Sequence, residues 1–361
     1  MKHAKKILVT QSYLPPLTDY VSYLKTLWGT KWLTNNGALV QELEQKLADY
    51  LGVKHVLYLS NGTIAIQLAL KALGITGEVI TTPFTYVATT TSILWENCTP
   101  VFVDIDPKTY CLDPKKIEAA ITPKTQAIMP VHVYGYPCDV EAIEHIAKKH
   151  HLRVIYDAAH AFGTKVNGRS VLSYGDVSSL SFHATKLFHT IEGGAVATND
   201  DALAKKMAYY RSFGHVGDDY YMMGINAKNS EFHAAMGLTI FPKVPAIIKH
   251  RKALVELYDT ILDGVLFRPE ISKNVIYNYA YYPVLFTEES VLLKVKAALE
   301  AHNIIPRRYF YPSLNTLSYL GTSQSCPVSE DIARRVLCLP LFYDLKKSEV
   351  QKIAKLVRKN L

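Results

Sequence analysis

The sequence predicts an α/β protein: a large N-terminal domain over residues 1–240 on a mixed, mostly parallel sheet flanked by helices, then a smaller α+β domain over 241–361. Three observations predict it. From residue 50 to 200, short β-branched or apolar runs alternate with amphipathic stretches, which is the pattern of a helix-covered sheet. Past Phe241 the composition shifts to a helix with charged faces and a tyrosine-rich run. The 361 residues also suit two domains at about 150 residues each, one large and one small.

Residues 11–50 read as an arm with a helix. Pro15 and Pro16 punctuate it, Trp32–Gly37 forms a turn, and Leu39–Tyr50 is amphipathic. Strands are expected at His55–Leu59, Glu78–Thr82, Val101–Ile105, Ala127–Val133, Arg153–Asp157, Val177–Phe182 and Ala195–Thr198. Helices begin near Thr63, Thr85, Pro114, Asp139 and Asp201, several with Ser, Thr, Asp or Pro where a cap or first turn needs it. Further on, Val244–Leu262 is helical. The alternation of Tyr277, Tyr279, Tyr281 and Tyr282 reads as a strand, and helices follow at 290–302 and 347–360.

Composition narrows the function. With 49% hydrophobic and 20% charged residues the chain is an ordinary globular protein. Its longest apolar runs fall far short of the roughly 20 residues that cross a bilayer. The basic opening Met1–Lys6 is followed only by the short apolar run Ile7–Val9, so no signal peptide is expected and the address is cytoplasmic. Five cysteines, with no Cys-x-x-Cys pair, read as buried thiols in a reducing compartment and not as metal ligands. The formal charge of +8 suits anionic small molecules, but the basic residues are scattered, so no nucleic-acid partner is expected.

Four segments carry chemistry. Ser60-Asn61-Gly62-Thr63 stands where a strand ends and a helix begins, a geometry that binds phosphate or simply caps the helix. Asp157, in Tyr156-Asp157-Ala158-Ala159-His160, ends an apolar strand, where a carboxylate must find a cation or cap the next turn. Lys186, in Ser181-Phe182-His183-Ala184-Thr185-Lys186, has small, apolar and aromatic neighbours. Desolvation there lowers a lysine's pKa toward the nucleophilic form. Gly224–Glu231, containing Asn226 and Lys228, reads as a polar entrance to a helix.

In this order and spacing the segments resemble the fold type I pyridoxal-phosphate enzymes of the DegT/DnrJ/EryC1/StrS aminotransferase family. Thr82–Thr89, Glu192-Gly193-Gly194, Arg307–Pro312 and Leu339–Leu341 strengthen the resemblance, which spans most of the chain. It implies pyridoxal 5'-phosphate as cofactor, with Lys186 as its Schiff-base partner and proton shuttle. Asp157 would bond the ring nitrogen, and Tyr86 would stack on the ring. His160 would lie by the ring or its phenolic oxygen, where relatives often have Gln. The Gly62 and Thr63 amides and the Ser181 hydroxyl would hold the phosphate, and Asn226 would reach it from a neighbouring subunit, making the active unit a homodimer.

Lys228 stands where many relatives have Arg, and Tyr309 and Tyr311 either line a sugar or base pocket or pack in the small domain. A retained lysine separates the chain from the branch that dehydrates keto sugars. Leu14–Leu17, Trp32–Gly37 and Ile155–Gly163 look like the subgroup that aminates C4 of dTDP-4-keto-6-deoxyglucose with L-glutamate, feeding O-antigen or related glycans. The rivals are amination at C3 of a 3-keto sugar and a non-catalytic binding or regulatory protein, in which the lysine or the aspartate would be lost.

Overall fold

A computed structural model describes residues 6–320 and 324–361, so the basic opening lies outside it except for Lys6. Its centre is a seven-stranded sheet of β1 (His55–Leu59), β2 (Glu78–Thr81), β3 (Thr99–Phe102), β4 (Thr125–Met129), β5 (Arg153–Asp157), β6 (Val177–Ser181) and β7 (Gly194–Thr198). Across the sheet the order is β1-β7-β6-β5-β4-β2-β3. Neighbours from β6 to β3 pair in parallel, whereas β7 runs antiparallel to both β6 and β1. The sheet is therefore mixed and mostly parallel.

Both faces are covered, which explains the near-continuous apolar strands. In β1, Val56 and Tyr58 face one core while Leu57 and Leu59 face another, the period-two alternation of a strand. Each fully buried leucine contributes about 1.5–3 kcal/mol to holding the layers together. On one side lie α2 (Ala38–Leu51), α7 (Glu231–Ile240) and the start of α8 (Val244–Leu262); on the other are α3 (Gly62–Leu73) and α6 (Asp201–Arg211). The arm holds two helices where one was expected, because α1 (Leu17–Thr30) also forms. Only Leu27 of α1 is fully buried, while Tyr20, Tyr23 and Leu24 pack partly buried on the same core. Between strands, α4 (Val87–Trp95) and α5 (Val140–His150) form at the expected places, and Pro114 opens a single turn, Pro114–Ile117.

The strand expected over Ala127–Val133 ends at Met129. Pro130 has no N–H to donate to a ladder, and the chain then turns through Val133–Gly135. The tyrosine-rich strand is corrected more deeply: residues 277–281 are irregular, and only Tyr282 lies in a strand, β8 (Tyr282–Leu285), paired with β9 (Val336–Leu339). Side chains replace the ladder there. Tyr279 sits at φ +56, Arg251 donates to the Tyr279 and Ala280 carbonyls at 2.9 and 2.6 Å, and the Asn278 side chain accepts from the Ala280 N–H at 3.0 Å.

Strands β8 and β9 share a separate core with α8, α9 (Glu289–Glu300) and α11 (Lys347–Asn360), through residues such as Leu254, Val284, Leu292 and Val350. Helix α10 (Pro327–Arg335), with Pro327 in its first turn, was not anticipated. The start of the chain joins this part of the molecule, since Ile7–Leu8 pairs in parallel with Ile304–Ile305. All five cysteines are buried and unpaired, and no described helix is long and apolar enough to cross a membrane.

The start of β7 packs backbone to backbone on the turn after β1. A Cβ on Gly194 would lie 2.4 Å from the Asn61 carbonyl carbon and 2.6 Å from the Gly62 nitrogen. Backbone cannot swing aside as a flexible side chain can. Gly194→Ala is expected to cost about 2 kcal/mol or more, read as a lower urea midpoint with an unchanged slope.

Candidate active site

Because β1 and β2–β6 all point the same way and β7 points back, six chain segments meet at one edge of the sheet. They are Asn61–Thr63 after β1, Thr85–Thr89 after β2, Val131 after β4, Asp157–His160 after β5, Ser181–Lys186 after β6, and Glu192–Gly193 entering β7. The carboxyl edge is where open α/β sheets leave room between connections. The segments enclose a cleft of about 350 Å³. Of the residues singled out in the sequence, Gly62, Thr63, Tyr86, Asp157, His160, Ser181, Lys186 and Tyr309 all line it.

Asp157 is 6% exposed, at the end of β5. Its Oδ2 accepts the Thr89 hydroxyl at 2.7 Å and its Oδ1 accepts the Ala159 N–H at 3.1 Å. A carboxylate only accepts, so the Thr89 proton points at it, and Thr85, 2.9 Å away, donates to Thr89 in turn. Burial raises the Asp157 pKa; the two hydrogen bonds and the positive charge of Lys186 oppose that rise. Burial pushes Lys186 down to about 8, against the opposing pull of Asp157. An amine tuned this way is still mostly protonated near physiological pH, but it holds a far larger neutral, nucleophilic fraction than an ordinary lysine.

His160 is held by the main chain. Its Nδ1 lies 3.2 Å from the Tyr134 N–H, which can only donate, so the proton of the neutral ring sits on Nε2. Burial and then the nearby Lys186 charge keep its pKa well below the usual value, so the ring stays uncharged. The imidazole stacks on Phe310 at 5.8 Å between centroids and leans on Tyr281 at 4.7 Å. Tyr86, at the N-cap of α4, stands more than half exposed on the rim of the same cleft.

The turn after β1 is built for close approach. Asn61 caps α3, its Oδ1 accepting the Ile64 N–H at 2.9 Å, which leaves the Gly62 and Thr63 amides with no protein acceptor among the described residues. A Cβ on Gly62 would lie 2.9 Å from the Ser181 Cβ, so only glycine lets the turn settle against β6. Together these residues fit pyridoxal phosphate: unpaired amides at a helix start for an ester phosphate, a buried carboxylate for a protonated ring nitrogen, and a neutral amine for an aldehyde. No cluster of metal-ligating side chains occurs among the described residues.

Asn226 and Lys228 do not line this chain's cleft. Asn226 is exposed, and the Lys228 ammonium lies over the Phe213 ring at 4.8 Å. Tyr311 is also off the cleft wall, half-exposed under the Arg308 guanidinium at 3.5 Å. Sequence reasoning missed Thr89, Tyr281, Phe310 and His183 as site residues. Thr85 and Thr89 are spaced four apart at the start of α4, a spacing that allowed the hydroxyl relay to be anticipated, whereas Tyr281 was absorbed into an expected strand. Arg307, the first residue of the Arg307–Pro312 segment, also lines the cleft.

The chain matches the DegT/DnrJ/EryC1/StrS aminotransferase family over residues 18–358. It is 43% identical to a dTDP-4-amino-4,6-dideoxy-D-glucose transaminase of Shigella dysenteriae, over 98% of this chain and 99% of that one. It is 42% identical to the protein of that name from Escherichia coli, over 98% of each. Its fold superposes on the crystal structure of DesI, determined in the presence of its TDP-sugar product, with a TM-score of 0.94 at 35% identity, covering 99% of this chain and 93% of DesI.

Lys186 loses its proton as the pH rises through its lowered pKa. In cofactor-free protein, competitive labelling with acetic anhydride followed by peptide mass analysis should show Lys186 becoming reactive with a midpoint near pH 8, well below the roughly 10.4 of an ordinary lysine. Asp157→Asn removes the charge that raises this pKa and should move the midpoint lower still.

Proposed function

Since the chain belongs to the DegT/DnrJ/EryC1/StrS aminotransferase family, we propose that it transfers the amino group of L-glutamate to C4 of dTDP-4-keto-6-deoxy-D-glucose, giving dTDP-4-amino-4,6-dideoxy-D-glucose. It is a nucleotide-sugar aminotransferase that uses pyridoxal phosphate. The observation that carries the reading is the pairing of Lys186, its pKa lowered to about 8, with the buried Asp157 on the floor of one cleft. The sugar product would serve surface-glycan (O-antigen) assembly in the cytoplasm.

When bound, the cofactor supplies a carbonyl to take the amino group and an electron-poor ring to accept the electron pair left when a Cα proton departs. The protein's residues prepare that chemistry. Asp157, ionised, would hold a proton on the ring nitrogen. At about 4 Å and an effective dielectric near 20, the attraction is worth roughly 4 kcal/mol, or about three pKa units. Thr89 and the Ala159 N–H keep the carboxylate aimed while it does so. The Lys186 Nζ, in its neutral form, would take the proton from the donor carbon and return it to the acceptor carbon.

Around them, Tyr86 and His160 would bracket the ring, His160 offering its Nε2 proton. Gly62, Thr63 and Ser181 would hold the phosphate. Tyr309 and Arg307, on the cleft wall, would contact the sugar nucleotide.

The active unit in this reading is a homodimer whose clefts are completed across the interface, with Asn226 and Lys228 delivered to the partner's site. Phe213, Tyr220, Met223 and Ile225 are all more than 45% exposed on the segment that carries Asn226. Apolar surface of that extent on one excursion suits burial against a second subunit.

Incubation with L-glutamate and dTDP-4-keto-6-deoxy-D-glucose should give a product whose new C–N bond NMR places at C4, and an amine at C3 would overturn the positional assignment. Lys186→Ala should lower turnover about a thousandfold or more. The shared site has its own test. Lys186→Ala and Asn226→Ala proteins, each inactive alone, should regain about a quarter of wild-type activity when their subunits are mixed and exchanged, because only the mixed dimer contains an intact cleft.

A further inference from the structure

We propose that Asn229 is a positioning residue whose side-chain amide clamps the turn after β1 to the loop entering β7, and thereby sets how tightly the cleft holds a phosphate ester. The inference rests on the reading that the Gly62 and Thr63 amides receive the cofactor's phosphate. The resemblance assigns roles to Asn226 and Lys228 in this segment but none to Asn229.

The Asn229 Nδ2 lies 3.1 Å from the Tyr58 hydroxyl, 3.3 Å from the Leu59 carbonyl oxygen and 3.0 Å from the Glu192 carbonyl oxygen. Carbonyls only accept, so the nitrogen must face them, and the Asn229 Oδ1 is occupied by the Ser230 N–H at 2.8 Å. The amide orientation is therefore determined by its partners. Leu59 is the last residue of β1, immediately before the turn, while Glu192 immediately precedes Gly193 and Gly194 at the entrance to β7. The two strands pair up to Leu59 and Gly194, and beyond that point they separate to make the cleft wall.

Where they separate, Asn229 bonds to both. Its own segment is anchored on the turn as well, since the Ser60 N–H donates to the Ala227 carbonyl at 2.9 Å. The packing leaves no slack: a Cβ on Gly194 would meet Asn61 and Gly62 backbone, and one on Gly193 would meet the Thr190 hydroxyl and the Tyr58 ring. A small rotation of the turn would redirect the Gly62 and Thr63 amides away from a common point. The clamp opposes that rotation without contacting the ligand, so its loss should fall on the phosphate and not on the ring.

The test separates the two. Asn229→Leu keeps the volume and removes both donors. Cofactor-free wild type and variant are titrated with pyridoxal 5'-phosphate and, separately, with pyridoxal, which has the same ring and aldehyde but no phosphate. The phosphate ester should bind the variant about tenfold more weakly, with pyridoxal affinity unchanged within about twofold. Asn229→Gln, which retains the amide donors, should recover part of the difference and serves as the reading if the leucine variant does not fold. An equal loss for both ligands, or none for either, overturns the clamp. If wild type itself does not prefer the phosphate ester, the cofactor reading fails instead.

Discussion

The floor of one cleft is largely withdrawn from water, Asp157 buried and Lys186 partly so, and this desolvation acts at once on two groups of opposite sign. Burial lowers the pKa of Lys186 and raises that of Asp157, so each is moved toward its neutral form. The groups only partly compensate each other. Thr89 and the Ala159 N–H fill two acceptor positions on the carboxylate, while no described protein group bonds the Lys186 ammonium. The result is an amine ready to react beside an acid ready to pair with a cation. A surface lysine and aspartate at the same separation would do neither, because water would solvate both.

That floor exists because of how the strands are ordered. Parallel strands alone would bring their carboxyl ends to one edge, but the glycine pair that receives the turn after β1 belongs to the start of a strand. Reversing β7 between β1 and β6 places Gly193 and Gly194 at the same edge as Asp157 and Ser181. The reversal also lets the backbone of Gly194 lie against Asn61 and Gly62, a contact too close for any side chain. Sheet topology, glycine placement and the orientation of the Gly62 and Thr63 amides are thus one arrangement. Asn229 extends it to the segment that carries Asn226.

Much of this was legible in the sequence because it depends on local patterns. Apolar runs such as Val154-Ile155-Tyr156 followed by Asp157 mark both a buried strand and the chemistry at its end, and the small and aromatic neighbours of Lys186 marked its desolvation. What escaped depends on contacts between distant segments. Thr89 acts on Asp157 from 68 residues away, and Asn229 on Glu192 from 37. Tyr277, Tyr279 and Tyr281 alternate along the sequence as strand residues would, yet Asn278 and Ala280 between them are buried too, and Arg251 and Asn278 satisfy the backbone in place of a partner strand. Helix α1 was harder to read because its apolar residues divide: Leu17 and Trp28 are exposed, while Tyr20, Tyr23, Leu24 and Leu27 pack on the core.

The cleft makes the empty protein less stable than its core would allow, and the pH dependence shows when. Between about 8 and roughly 10.4, an unfolded chain holds a proton on Lys186 that the folded chain has released, so stability rises with pH across that window. Below it, the full cost of a buried ammonium is present. Asp157 behaves in the mirror sense: its folded pKa is raised, so stability falls as pH climbs from the unfolded carboxyl range to the folded value, and above that the full cost of a buried carboxylate remains. Where both groups are charged, the two costs stand together. A ligand that presents a protonated ring nitrogen to Asp157 and engages the amine of Lys186 removes both, so the relief appears as binding affinity and as stabilisation of the fold by mass action. The two desolvated charges thus weaken the empty protein for the same physical reason that they favour a ligand complementary to both.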